Sequence, residues 1–265
     1  MPHAKDVERP APGDSYVQSF ARGLQVIRSF SAQAPLQTLT EVAEQSGLTR
    51  AGARRILLTL QTLGYVESDG KRFSLTPRIL DLGFAYLSSM PIWDLAEPVM
   101  EALVDEVKES CSAAVLDGTD IVYVMRVPTH KIMSITLGVG SRLPAYCTSM
   151  GRMLLAALPE DEAVMRLEAS ERIARTRHTR TGMDALLKEV RQCRSDGWCL
   201  VDQELEEGLV SLAAPIIDRS GTTVAALNIS GQANRTSAKA MRETMLPSLL
   251  VAATTISRLL SIKRS

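Results

Sequence analysis

Between Glu44 and Glu67 the chain carries no acidic residue, and Arg50, Arg54 and Arg55 fall inside that window. A guanidinium offers N–H donors in a planar fork that fits a phosphate or the O6 and N7 edge of guanine, so this cluster points to nucleic-acid recognition. Thr49 stands beside the arginines, and Ala51 and Gly52 are small enough to let a base edge come close. A second basic pair, Lys71 and Arg72, and Arg22 upstream are suited to backbone phosphates, which position a protein on a duplex without reading its sequence. The competing explanation is a solvated basic helix face, and the elements that hold these residues decide against it.

Thr38 and Glu41 have the spacing of a capping box, Leu39, Val42 and Ala43 supply an inward face, and Gly47 suits the left-handed residue that ends a helix. Thr49 then caps a second helix, in which Ala53, Ile56, Leu57 and Leu60 repeat as a buried stripe and the three arginines lie off it. Two helices so joined form a helix-turn-helix. After Gly64, the segments around Tyr65-Val66 and Phe73-Ser74-Leu75 flank Asp69-Gly70, a hairpin signal with a basic tip. A hairpin directly after a recognition helix is the wing of a winged helix, and it brings Lys71 and Arg72 beside the groove. Ser19 to Arg28 is expected to be the supporting first helix, with Phe20, Leu24 and Ile27 inward.

A second chemical pattern lies at Thr148, Ser149, Met150 and Gly151, where a loop enters a helix. Free backbone N–H groups at a helix start can hold a carboxylate, although Thr148 or Ser149 acting only as a cap is the simpler alternative. Arg142, in the preceding loop, either pairs with a second carboxylate or is an ordinary exposed arginine. Catalysis has weak support. Cys147 with His130 or His178 could be imagined as nucleophile and base, yet nothing fixes their distance. Asp202, Glu204, Glu206 and Glu207 lack a glycine-bearing calcium-loop pattern and are expected to form a solvated acidic loop. Gly138-Val139-Gly140 falls far short of a dinucleotide fingerprint. The four cysteines show no CxxC spacing and the three histidines no HExxH pair. The expectation is therefore no catalytic residue, no metal and no cofactor.

With 265 residues, 45% of them hydrophobic, the chain has material for two cores. A formal net charge of zero argues against a protein that coats nucleic acid indiscriminately. Residues 15–90 nevertheless hold eight basic residues against five acidic, a local footprint. Residues 1–14 are expected to be a disordered leader and 15–75 the winged helix. A linker helix is expected over 76–90, opened by Thr76-Pro77, with Ile79, Leu82, Gly83, Tyr86, Leu87 and Met90 on one face, free to pack against a second subunit. Over 91–265, a helix through Val99, Leu103 and Val107 precedes hairpin-linked strands at Cys111–Leu116 and Ile121–Val127, and at Leu209–Ile217 and Thr223–Ser230. Further strands are expected at Met133–Leu137 and Trp198–Asp202, with helices at Gly151–Leu158, Met183–Arg194 and Ser237–Ser261. The pattern predicts an α+β fold with an antiparallel sheet. With no apolar signal core and no unbroken apolar span, a cytoplasmic protein without a membrane partner is expected.

The winged helix, the linker, the run Gly140-Ser141-Arg142-Leu143-Pro144-Ala145-Tyr146-Cys147-Thr148-Ser149-Met150-Gly151-Arg152, and the segments Asp202-Gln203-Glu204, Ala213-Ala214-Pro215-Ile216 and Asn228-Ile229-Ser230-Gly231 together resemble the IclR family of bacterial transcriptional regulators. The opening Tyr16 to Leu24 and the Pro-Ala-Tyr-Cys-Thr-Ser-Met-Gly-Arg run are similar to its PcaR/PcaU/PobR branch. The resemblance implies a GAF-like domain that binds a small organic acid of the protocatechuate, 4-hydroxybenzoate, muconate or β-ketoadipate class, with a homodimer or homotetramer on double-stranded operator DNA. RNA polymerase joins the partners if the chain activates transcription. A regulator of another carboxylate pathway, glyoxylate/pyruvate or a sugar acid, is the alternative. The resemblance also implies that Ser149, Met150, Leu209, Ser211, Asn228 and Ser230 face the effector. The two-residue strand period puts Leu209 with Ser211, and Asn228 with Ser230, on common faces. Asn228 and Ser230 as a buried pair satisfied by backbone is the alternative for those two. Ser211 stands where the family commonly has cysteine.

Overall fold

A computed structural model describes residues 13, 15–88, 92–129 and 137–262. The chain divides into two compact units, Met1–Ser88 and Ser89–Ser265. Apart from Gly13, the expected leader lies outside the described residues, as do His130, Met90 and, apart from Leu137, the expected strand at Met133–Leu137.

In the first unit, helix α1 (Gln18–Ser29) is followed by strand β1 (Leu36–Thr38), helices α2 (Leu39–Ser46) and α3 (Arg50–Thr62), and strands β2 (Val66–Ser68) and β3 (Arg72–Leu75). A 3-10 turn (Pro77–Ile79) then leads into α4 (Leu80–Ser88). The capping box forms in full. Thr38 Oγ1 accepts from the Glu41 N–H, and Glu41 Oε2 accepts from the Thr38 N–H at 2.7 Å. Gly47 closes α2 at φ +66°. Val42, Ala43, Ala53, Leu57, Leu60 and Val66 make the core with Val26, and Ile56, Tyr65, Phe73 and Leu75 pack around them.

Two expectations for this unit need correction. α1 buries Val26, with Ile27 and Phe30 packed beside it, whereas Phe20 is 69% and Leu24 39% exposed. Val17, Phe20 and Leu24 form their own stripe by the 3, 4, 7 rule, and periodicity alone does not say which stripe faces the core. Thr76 does not cap the next helix, because its hydroxyl donates instead to the Gly64 carbonyl. β1, which the sequence did not suggest, is a three-residue strand that pairs antiparallel with β3, giving the order β1-β3-β2.

The second unit runs α5 (Ile92–Val107), β4 (Ser110–Asp117), β5 (Asp120–Val127), β6 (Arg142–Pro144), a 3-10 turn (Ala145–Cys147), α6 (Ser149–Ala156), α7 (Glu160–Ala169), α8 (Met183–Asp196), β7 (Cys199–Asp202), β8 (Leu209–Ile217), β9 (Thr223–Gln232), α9 (Ala238–Thr244) and α10 (Leu246–Ile262). Among the described residues the strands form one six-stranded sheet in the order β6-β5-β4-β9-β8-β7, every recorded pairing antiparallel, so the fold is α+β. α6 packs on one face against Ala114, Tyr123, Val201, Ala213 and Ala226, while α5 and α10 pack on each other and on the sheet. The expected single C-terminal helix is two helices bent by 54° at Met245. Pro247 lies in the first turn of α10, where its missing N–H costs nothing, but the same residue cannot prolong α9. Among the described residues no single helix is long and apolar enough to cross a membrane.

Candidate DNA-binding face and effector recess

On the first unit, Arg50, Ala51, Arg54 and Arg55 are exposed along α3, and Thr49 caps it by accepting the Gly52 N–H at 3.1 Å. Arg50, Arg54, Arg55 and Lys71 make no ion pair among the described residues, so their charge is available to a partner. The wing turn is built by Asp69, whose Oδ1 accepts the Lys71 N–H at 2.8 Å and the Arg72 N–H at 2.7 Å. Those bonds hold the Asp69 carboxyl below its usual range and leave the side chains of Lys71 and Arg72 exposed at the tip. Arg22 is exposed on α1.

In the second unit a narrow recess of about 320 Å³, its open mouth included, lies between the start of α6 and the sheet. Thr148, Ser149, Met150, Leu209, Ser211, Asn228 and Ser230 line it, joined by Cys147, weighed from the sequence only as a nucleophile, and by Tyr123, Val201 and Leu205, which the sequence did not single out. Thr148 caps α6: its Oγ1 donates to the Pro144 carbonyl at 2.9 Å and accepts the Gly151 N–H at 3.2 Å. That occupies the Gly151 donor and leaves the Ser149 and Met150 N–H groups as the open ones at the helix start. Gly151 lies behind the recess, where an added Cβ would stand 2.3 Å from the Ala145 Cα, so only glycine lets α6 close on the preceding turn. Asn228 spans two strands. Its Oδ1 accepts the Ser112 N–H at 3.1 Å and its Nδ2 donates to Ser230 Oγ at 2.9 Å, which frees the Ser230 O–H to donate. Burial pushes the Tyr123 phenol up to about 12 and the Cys147 thiol to about 11, so both stay protonated near neutral pH.

Arg142 does not line the recess. It sits on β6 and bonds Asp117 at 2.7 Å and Asp120 at 3.2 Å, closing the β4–β5 turn. The acidic loop also departs from expectation. Glu204 is fully buried, and both its oxygens are held by the fully buried Arg152, at 2.7 and 2.6 Å. Arg152 Nε also donates to the Tyr146 carbonyl at 2.9 Å, and Arg180 reaches Glu204 through its N–H and its guanidinium. Burial alone would raise the Glu204 carboxyl, but the bonds and charge of Arg152 outweigh it and hold the group below its usual range. Arg152, on α6, thus ties that helix to the loop carrying Leu205 through the ion pair, and to the turn before the helix through its bond to Tyr146. No signal within either segment could have found it, because the partners are 52 residues apart.

An exposed basic recognition helix with a wing, joined in one chain to a separate α+β unit that carries a recess, is the make-up of a transcriptional regulator. The helix-turn-helix profile of IclR matches residues 19–70, and the profile described as bacterial transcriptional regulator IclR C-terminal matches residues 84–258. The chain belongs to the IclR family. It is 42% identical over 250 residues to the Pca regulon regulatory protein of Pseudomonas putida, covering 94% of this chain and 86% of the relative. It is 32% identical to the p-hydroxybenzoate hydroxylase transcriptional activator of Acinetobacter baylyi, covering 94% and 92%. A solved structure of a transcriptional regulator from Rhodococcus sp. RHA1 superposes with a TM-score of 0.83 at 51% identity, covering 92% of this chain and 98% of that one. These matches place the chain in the branch of the Pca and p-hydroxybenzoate regulators, proteins that regulate transcription rather than catalyse a reaction. Cys147 is unsuited to nucleophilic attack with its thiol so raised, and His178 sits against Arg177. Among the described residues no cluster of histidine, cysteine or carboxylate side chains is arranged to hold a metal ion.

Proposed function

We propose that the second unit binds a small aromatic or aromatic-derived carboxylic acid and that the first unit reads an operator controlling genes of aromatic-compound breakdown, in the cytoplasm. The observation that carries this is the make-up of the recess. Two open N–H groups at the start of α6 meet the hydroxyls of Ser149, Ser211 and Ser230 over an apolar wall of Met150, Val201, Leu205 and Leu209, with no charged side chain in the lining. Neutral donors converging in a buried site suit a carboxylate, and the apolar wall suits a ring or carbon chain. On DNA, α3 enters the major groove with Arg50, Arg54 and Arg55, and Arg22, Lys71 and Arg72 meet phosphates.

The test is a melting series with protocatechuate, 4-hydroxybenzoate, muconate and β-ketoadipate. One of them, at 100 times its dissociation constant, should stabilise the fold by roughly 2.7 kcal/mol. By calorimetry, Ser230→Ala should weaken that acid about tenfold or more, the loss of a hydrogen bond to a charged group at roughly 1.5–3 kcal/mol. Ser149→Pro should do the same by removing a donor at the first helical position, where proline is tolerated. Wild-type affinity in both folded variants would remove the acid from this recess.

The chain should act at least as a dimer. Val17 at the start of α1, Phe20 and Leu24 on it, and Leu80, Leu82, Phe84 and Tyr86 on α4 are exposed apolar side chains of the DNA-reading unit, and a second copy would bury them. Two heads on a fixed spacing also read twice the sequence of one. Sedimentation at micromolar concentration should show a dimer or tetramer. A monomer both free and on DNA would contradict it.

A further inference from the structure

α4 has no buried residue of its own, yet its root is fastened to the head by four contacts. The Thr76 hydroxyl donates to the Gly64 carbonyl at 2.5 Å, and the Thr76 N–H to the Tyr65 carbonyl at 2.9 Å. Arg78 Nη1 donates to the Leu63 carbonyl at 3.0 Å, and its guanidinium lies 5.6 Å from the centroid of the Tyr65 ring. Leu63, Gly64 and Tyr65 form the turn that leaves α3, and Gly64 takes φ +82° there. The carbonyl of Leu63, the C-cap of α3, lacks an intrahelical partner and lies at the negative end of the helix dipole, so the Arg78 cation satisfies both needs at once, while Thr76 holds the carbonyls of Gly64 and Tyr65 in the turn just beyond. Tyr65 adds an aromatic face under that cation. The grip therefore falls on the far end of the recognition helix from its DNA-facing arginines.

We propose that Thr76 and Arg78 are positioning residues for DNA reading: they lock the root of α4 to the C-terminus of α3, so the direction of α4 fixes the angle at which α3 meets the groove. This rests on α3 being the recognition helix. Because the joint is polar and small, it passes a rotation of α4 to α3 although α4 buries no residue of its own. It also makes a neutral residue, Thr76, matter for base reading although it touches no base.

The test uses the full chain and a duplex selected by the wild type from a random pool, with an unrelated duplex as control, read by fluorescence anisotropy over a range of salt. Thr76→Val and Arg78→Ala should each weaken the selected duplex about tenfold while the unrelated duplex is bound as before. Arg78→Lys, which keeps a donor for Leu63, should recover part of the loss. The slope of log affinity against log salt should not change, and the double variant should lose less than the two single losses combined, as residues in one joint do. A slope smaller by about one in Arg78→Ala would make Arg78 a phosphate contact and overturn the proposal. So would unchanged discrimination between the two duplexes in both single variants. If the wild type selects no duplex at all, the assignment of α3 fails first, and that outcome is distinct.

Discussion

Replacing Arg54 and Arg55 together with alanine is expected to remove most of the protein's preference for its operator. A side chain that reads a base edge through paired hydrogen bonds contributes roughly 1–3 kcal/mol of discrimination, so a single substitution should cost up to about 100-fold and the pair more. The structure supports a large effect for two reasons. Both guanidiniums project from the side of α3 away from the buried Ala53, Leu57 and Leu60, and neither is tied up by a carboxylate among the described residues. Lys71→Ala at the wing should behave differently, weakening selected and unrelated duplexes alike and lowering the salt slope by about one. The helical signal of the double variant should be intact, because exposed side chains off the core stripe are removed. Operator affinity unchanged in Arg54→Ala, Arg55→Ala by anisotropy would show that α3 does not read the DNA.

The second large effect concerns the Arg152–Glu204 pair. Arg152→Ala would leave a buried carboxylate facing only Arg180, and breaking a buried pair from one side typically costs about 3–5 kcal/mol. Urea unfolding followed by far-ultraviolet circular dichroism should show the midpoint of the second unit falling accordingly, with effector binding lost at lower denaturant than in the wild type. The pair also predicts a pH dependence. The folded state holds Glu204 below the value of about 4.3 usual for an unfolded glutamate. Its contribution is therefore complete above that unfolded value and is lost as pH falls through the lower folded value. Glu204→Gln should flatten the stability profile in that acid window. A midpoint in Arg152→Ala within error of the wild type would mean that the pair contributes nothing to the fold.

The parts of the head that the sequence declared were local ones. The Thr38–Glu41 box, the left-handed Gly47, the Thr49 cap and the Asp69-Gly70 turn are each written in four or five consecutive residues, and all of them form. Where two apolar stripes share one helix, as on α1, the choice depends on what packs against it, and Phe20 and Leu24 end up outside. β1 and β6 were illegible for another reason. Three residues are too few to show alternation, and each is a strand only because β3 or β5 lies beside it. In the recess, Leu209 with Ser211 and Asn228 with Ser230 were legible from the strand period. Tyr123 and Val201 were not, since the face of β5 or β7 that meets α6 follows from the sheet order. Glu204 shows the limit most clearly. Its own segment is acidic and looks solvated, and its burial is set by an arginine on a helix far along the chain.

The same sheet order has a consequence for how copies of the protein avoid one another. Among the described residues the sheet has two edge strands, and an edge is a template for unwanted strand pairing and aggregation. Here one edge is β6, a three-residue strand with Arg142 at its start and Pro144, which has no N–H to offer, at its end; the other is β7, four residues ending in the exposed Asp202. Short, charged and proline-bearing edges leave few backbone groups in line for a neighbouring chain. Among the described residues, β6 covers β5 at Asp120–Val122 and β7 covers β8 at Val210–Ala213, so these stretches of the long strands are closed to a neighbouring chain by segments that are themselves poor templates.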